Sequence, residues 1–187
     1  MRFLLVFVLI FSLPVSSFAA DYKGNCTISF QGTSTLHDIH GKARCQPFTV
    51  NNIDGVIDMS GVSVAIADMD TGNSKRDKQM REMFEDKTFP MITGNAGMIV
   101  LNDIRAGRKN APGSAHKISF KLKIRNIVKP VTATVTNFVE TDSRITADIA
   151  FTLSLAEYQL KPPIVLGMIK VDDKVAVTAA FVLKTSK

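Results

Sequence analysis

The sequence predicts an all-β fold: an antiparallel barrel of about eight strands with one short amphipathic helix near its mouth. Three observations carry that expectation. Apolar and polar residues alternate with period two in row after row. Clusters of turn-forming residues separate the rows. One segment, residues 74–86, changes to a helical period.

Residues 1–20 read as a secretory signal peptide. Arg2 precedes an apolar run from Phe3 to Leu13, Pro14 breaks it, and Ser17-Phe18-Ala19 supplies the small residues of a cleavage site. An uncleaved anchor is the alternative, but the run of about 11 residues is well short of the ~20 that a spanning helix needs. The mature chain, residues 21–187, then forms one exported domain in the periplasm. Arg2 is the only charge in the leader, so its loss takes the side-chain charge from +6 to +5.

Outside the cytoplasm Cys26 and Cys45 become a disulfide candidate. If their strands pair with Cys26 opposite Cys45, Ile28 faces Ala43, Phe30 faces Gly41, and both sulfurs project to one face. Residues 32–39 would make the connection. Closing about 20 residues is worth roughly 3 kcal/mol in the chain-entropy account. A redox or metal-binding pair is the alternative, without a C-x-x-C motif or an evident third ligand.

The remaining elements follow in order. Val62, Val64 and Ile66 alternate with Ser63, Ala65 and Ala67. In residues 74–86, Met80, Met83 and Phe84 stand at i, i+3 and i+4, with Ser74 as the cap, Asp77 as a capping-box partner and Phe89-Pro90 as the stop. Its methionines suit an adaptable apolar lid over the barrel mouth, or equally a plug within the core. Residues 92–101 form a weaker strand, apolar on both parities. Residues 102–114 read as a long basic loop with Arg105, Arg108, Lys109 and a Pro112-Gly113 turn. Three clear rows follow: Ile118, Phe120, Leu122 and Ile124; Ile145 through Leu155 on odd positions; and Val175 through Leu183 likewise. Val131, Ala133 and Val135 alternate with threonines. Asn51-Asn52, Asp54-Gly55, Thr141-Asp142-Ser143 and Asp172-Asp173 mark turns. Neighbouring rows joined by short turns make a meander. Closing it removes the edges and leaves an interior that is filled by side chains or holds one small ligand.

Composition narrows the function classes. A chain of 187 residues suits one domain, and 45% apolar with 21% charged residues excludes a disordered tail. Two Cys and three His exclude a multi-zinc protein, and no C-x-x-C-H motif attaches a haem. The pI of about 9.4 invites nucleic acid. Against that, export removes the usual partner, and no aromatic residues interleave with the basic ones. The Lys117–Arg125 row reads as a solvated strand face. There is no phosphate loop, no G-x-S-x-G and no H-E-x-x-H. His37, Asp38 and His40 make a weak metal site, and polar loop residues are the plainer reading. A Ser-His-Asp site is recognised by geometry, which a sequence does not give. The expectation is a non-enzyme with no cofactor and no metal.

Spread along the mature chain are motifs that resemble the YceI-like family of secreted, lipocalin-like barrels. Gly32-Thr33-Ser34-Thr35-Leu36-His37-Asp38 and Gly41 resemble its opening hairpin. Thr71-Gly72-Asn73, Arg76-Asp77, Met80-Arg81, Phe84 and Phe89-Pro90 resemble its central signature. Val128-Lys129-Pro130-Val131 resembles its short turn. Tyr158, Pro162-Pro163, Gly167, Val171, Asp173 and Val175 resemble its closing segment. Met80 stands where the family commonly has Leu, Asn126-Ile127-Val128 replaces its usual Gly-Val-Thr, and the Cys pair is not general in it.

The resemblance implies binding of an amphiphile such as a polyisoprenoid, isoprenoid quinone or fatty acyl amide inside the barrel. The alternating rows and the lid nominate the wall: Phe30, Val64, Ile66, Met80, Met83, Phe84, Phe120, Leu122, Phe151, Leu153 and Phe181, residues that a filled core would use equally. Arg76 and Arg81 are candidates for a polar or anionic headgroup, or plain surface charges of the helix. The expected partner is an isoprenoid or other long-chain lipid, with no nucleic acid. Transient contact with a membrane surface, at about 1 kcal/mol per nearby cation, and a homodimer stay open. So do two rival classes: a ligand-free structural or stress-related barrel that acts through a protein partner, and an enzyme on a lipid-like substrate.

Overall fold

The computed structural model describes residues 19–110, 116–162 and 171–186. Alternation builds its walls. In β8 (His116–Ile124), Phe120, Leu122 and Ile124 are buried while the intervening lysines are exposed. The same parity runs through β9 (Ile127–Thr141), β10 (Arg144–Ser154) and β11 (Val171–Thr185). These strands pair antiparallel in sequence order. Asn137, in the left-handed region at φ 49°, interrupts the β9 row, so Phe138 takes the next buried place.

β1 (Ala19–Ser34) joins β11 on one side. On the other side its second half pairs with β2 (Asp38–Arg44) and its first half with β3 (Phe48–Ile53). The β1–β2 register sets Ile28 opposite Ala43 and Phe30 opposite Gly41, as alternation around the two cysteines predicts. The Phe30 ring lies over Gly41 and fills the space that a Cβ would need there. Cys26 and Cys45 are disulfide-bonded with their Cα atoms 5.3 Å apart.

β4 (Val56–Asp58), β5 (Val62–Ala65), β6 (Met91–Asn95) and β7 (Met98–Val100) complete an eleven-stranded sheet. Its order is β5-β6-β8-β9-β10-β11-β1-β3-β4-β7, with β2 also on β1. β2 and β5 share no ladder. They meet through the bridges Cys45↔Val64 and Lys42↔Asp70, the latter with two backbone hydrogen bonds of 2.8 and 2.9 Å. The expected eight strands, β1, β2, β5, β6, β8, β9, β10 and β11, form a ring around the interior. β3, β4 and β7 continue the sheet from the first half of β1, where Ile57 of β4 and Ile99 of β7 also line the interior.

Several local expectations are corrected. Asn51-Asn52 lies within β3 and Asp172-Asp173 within β11, and the side chains of Asn52 and Asp173 serve neighbouring turns. Asn52 Oδ1 accepts the Gly55 N–H at 2.9 Å, and the Asp173 carboxylate accepts from Ser154 Oγ and Ala156 N. Residues 92–101 divide into two strands at Gly97, whose φ is +61°. The helix predicted over 74–86 is α1 (Ser74–Phe84), and its cap is Asn73 rather than Ser74. The basic loop is instead a second helix, α2 (Leu101–Asn110), anchored by Leu101 and Ile104. The Pro112-Gly113 turn, residues 1–18 of the leader, and Pro163 and Gly167 of the closing segment lie outside the described residues.

The core gathers at the two ends. At one end Phe84 of α1 packs with Ile66, Leu122, Ile124, Leu155 and Tyr158. At the other, Leu101 and Ile104 of α2 pack with Tyr22, Val50, Val135, Phe138 and Leu183.

Candidate ligand cavity

A cavity of about 600 Å3 runs inside the ring between the two helices. The strand parity positions its walls. Of the residues nominated from sequence, Phe30, Val64, Phe120, Leu122, Phe151, Leu153 and Phe181 line it from the strands. Arg76, Met80, Met83 and Phe84 line it from α1. Phe120 and Phe151 meet edge-to-face with centroids 5.3 Å apart.

Ile66 and Arg81 are not among the lining residues. The strand row stops at Ala65, and a 3-10 turn, Ile66–Asp68, takes Ile66 out of the wall and buries it completely under α1. Arg81 lies in the last turn of α1, where its carbonyl accepts the N–H of Glu85 and Asp86. The sequence reading missed Ile57, Ile99 and Ile104, which line the far end. Their elements are short strands and a polar helix, where only an i, i+3 pair, Leu101 and Ile104, signals burial.

Among the described residues, polar lining is confined to the α1 end. Ser34, His37, Thr71, Asn73, Lys75 and Gln79 line it there together with Arg76. No Asp or Glu among the described residues lines the cavity. The motif from Thr71 to Asp77 builds this end. Asn73 Oδ1 caps α1 by accepting from Lys75 N and Arg76 N, both at 3.1 Å. The buried Asp77 carboxylate accepts from Thr71 N at 3.0 Å and from Thr71 Oγ1 at 2.5 Å. Arg76 donates from Nε to Thr71 Oγ1 at 2.8 Å and from Nη2 to Thr71 O at 2.7 Å. The loop is thereby folded onto the helix, with Arg76 held at the rim. Across the mouth, Ser34 Oγ donates to His37 O at 2.7 Å and fixes the turn that carries His37.

Below the polar rim this end is locked. Arg125, at φ 54° in the β8–β9 turn, pairs with Glu85 at the end of α1 and donates to Tyr158 O and Gln159 O, both at 3.0 Å. The Tyr158 hydroxyl donates to Leu122 O at 3.3 Å, and burial pushes the phenol up to about 12. Ser154 Oγ, donating at 2.6 Å, and the Ala156 N–H hold the Asp173 carboxyl below its ordinary value. At the other end Arg105 of α2 donates to both Glu140 oxygens, at 2.7 and 2.6 Å. Among the described residues no group of three His, Cys, Asp or Glu is arranged to hold a metal, and no helix is long and apolar enough to cross a membrane.

The arrangement is a receptacle, apolar along its length and hydrogen-bonding at one end. Among solved structures the chain is similar to a polyisoprenoid-binding domain from Saccharophagus degradans implicated in plant cell wall breakdown. The two are 16% identical with a TM-score of 0.63, covering 90% of this chain and 100% of that one. It is also similar to BcnA of Burkholderia cenocepacia, at 16% identity and a TM-score of 0.57, covering 84% and 95%. At this identity the likeness concerns the fold. No curated protein matches. The YceI-like domain matches residues 17–183, from before the first strand to near the end of the last. With that span, the chain belongs to the YceI-like family.

Proposed function

We propose that the protein is a non-catalytic periplasmic carrier or scavenger that holds an amphiphilic lipid, of polyisoprenoid or isoprenoid quinone type, in the barrel interior. The observation that carries the reading is the cavity of about 600 Å3 whose polar groups, among the described residues, lie at one end only. That polarity matches an amphiphile with its head under the rim of α1 and its tail along the walls. Burying a tail gains roughly 0.8 kcal/mol per CH2, so a chain of ten or so methylenes binds well even after association costs. The solved relative described as polyisoprenoid-binding supports this ligand class. The leader-like residues 1–20 and the Cys26–Cys45 bridge support an oxidising, exported setting.

The test is mass spectrometry of an organic extract of protein purified natively from the periplasm. A stoichiometric prenyl lipid or quinone is expected. A clean blank that persists after incubation with membrane lipids contradicts the carrier and favours a barrel acting through a protein partner.

A further inference from the structure

We infer that α2 is the floor of the cavity and that Ile104 sets the length of the tail the barrel accepts. The inference rests on the carrier reading and adds a specificity determinant to it.

The two buried residues of α2 do different things. Leu101 is 1% exposed, does not line the cavity, and anchors the helix in the cluster of Tyr22, Val50 and Phe138. Ile104 is equally part of that cluster but also faces the cavity, beside Ile57, Ile99, Val135 and Ile145. The floor is fixed in place. Arg105, next to Ile104, grips Glu140 of β9 through two hydrogen bonds, and Leu101 N donates to Gly55 O at 2.9 Å. Polar lining at the α1 end sets the headgroup there, so the tail ends at Ile104. Among the described residues the floor offers no polar group to a second head. A tail longer than the cavity must therefore double back or leave methylenes in water, and the affinity gained per added unit stops at the floor.

The test measures dissociation constants for a homologous series of linear prenols by displacement of a fluorescent fatty-acid probe. For the wild-type protein, affinity rises steeply with each added isoprene unit and then breaks to a plateau or a decline. Ile104→Ala is expected to move the break to a longer prenol and Ile104→Phe to a shorter one, with the shortest prenols bound as by the wild type. Leu101→Ala is the control on the same helix: it lowers the thermal midpoint and leaves the break where it was. A break that stays put in both Ile104 variants, while prenols still bind, overturns the floor and leaves the carrier standing. No binding of any prenol by the wild-type protein overturns both.

Discussion

The two ends of the barrel are closed by helices of nearly equal length, α1 of 11 residues and α2 of 10, yet they differ in what they show the cavity. α1 presents Lys75, Arg76 and Gln79 at the rim and Met80, Met83 and Phe84 below it. Among its described residues α2 presents Ile104 alone. The chemistry around them differs in the same sense. The loop before α1 contributes hydrogen-bonding groups inward, whereas Arg105 of α2 turns to Glu140. The two helical caps thus give the cavity a direction, polar at the α1 end and apolar at the α2 end among the described residues.

That comparison can be broken at either end. The largest expected effect is at α1. Phe84→Ala, which empties a site 4% exposed, is expected to cost about 3–5 kcal/mol in denaturant unfolding and to weaken lipid retention as well, because Phe84 is both core and wall. Next comes the seam between the ends. Replacing Cys26 and Cys45 together with Ser removes a bridge across 19 residues and is expected to cost about 3 kcal/mol, with head and tail preferences unchanged. Asn73→Ala removes the cap of α1 and should cost about 1 kcal/mol, again in denaturant, with a larger loss of affinity for polar-headed than for simple alkyl ligands. Glu140→Gln, which frees Arg105 on a partly exposed surface, is expected to cost less than about 1 kcal/mol and to leave headgroup preference untouched.

The smallest effect is in pH. The folded Asp173 carboxyl is held below its ordinary value of 3.8, so its contribution is complete above that value and fades as pH falls through the lower folded one. Thermal midpoints followed from neutral pH into acid should drop less steeply for Asp173→Asn than for the wild type.

Much of this was legible in the sequence because parity is a binary signal. Once Cys26 and Cys45 are opposed, the facing of Ile28, Phe30 and Gly41 follows, and the rows of β8, β10 and β11 declare which side is wall. Three-residue strands such as β4 and β7 are too short to display a period, so the far end went unread. α2 offers only Leu101 and Ile104 among Arg, Lys, Asn and Gly, a composition that reads as loop until tertiary packing rewards it. Ile66 obeyed the alternation of its row and was turned out of it by a 3-10 turn. The polar rim joins Ser34 and His37 of the first hairpin to Thr71, Asn73 and Gln79 around the start of α1, and no local pattern ties those two segments together.

The central claim is the direction of the bound amphiphile, and methyl NMR tests it most directly. A single-chain lipid carrying a nitroxide at the headgroup, or alternatively at the chain end, is added to protein labelled at the Met and Ile methyls. The headgroup label should broaden Met80 and Met83, and the chain-end label should broaden Ile104 and Ile57. The opposite pattern, or equal broadening at both ends from either label, would contradict the account.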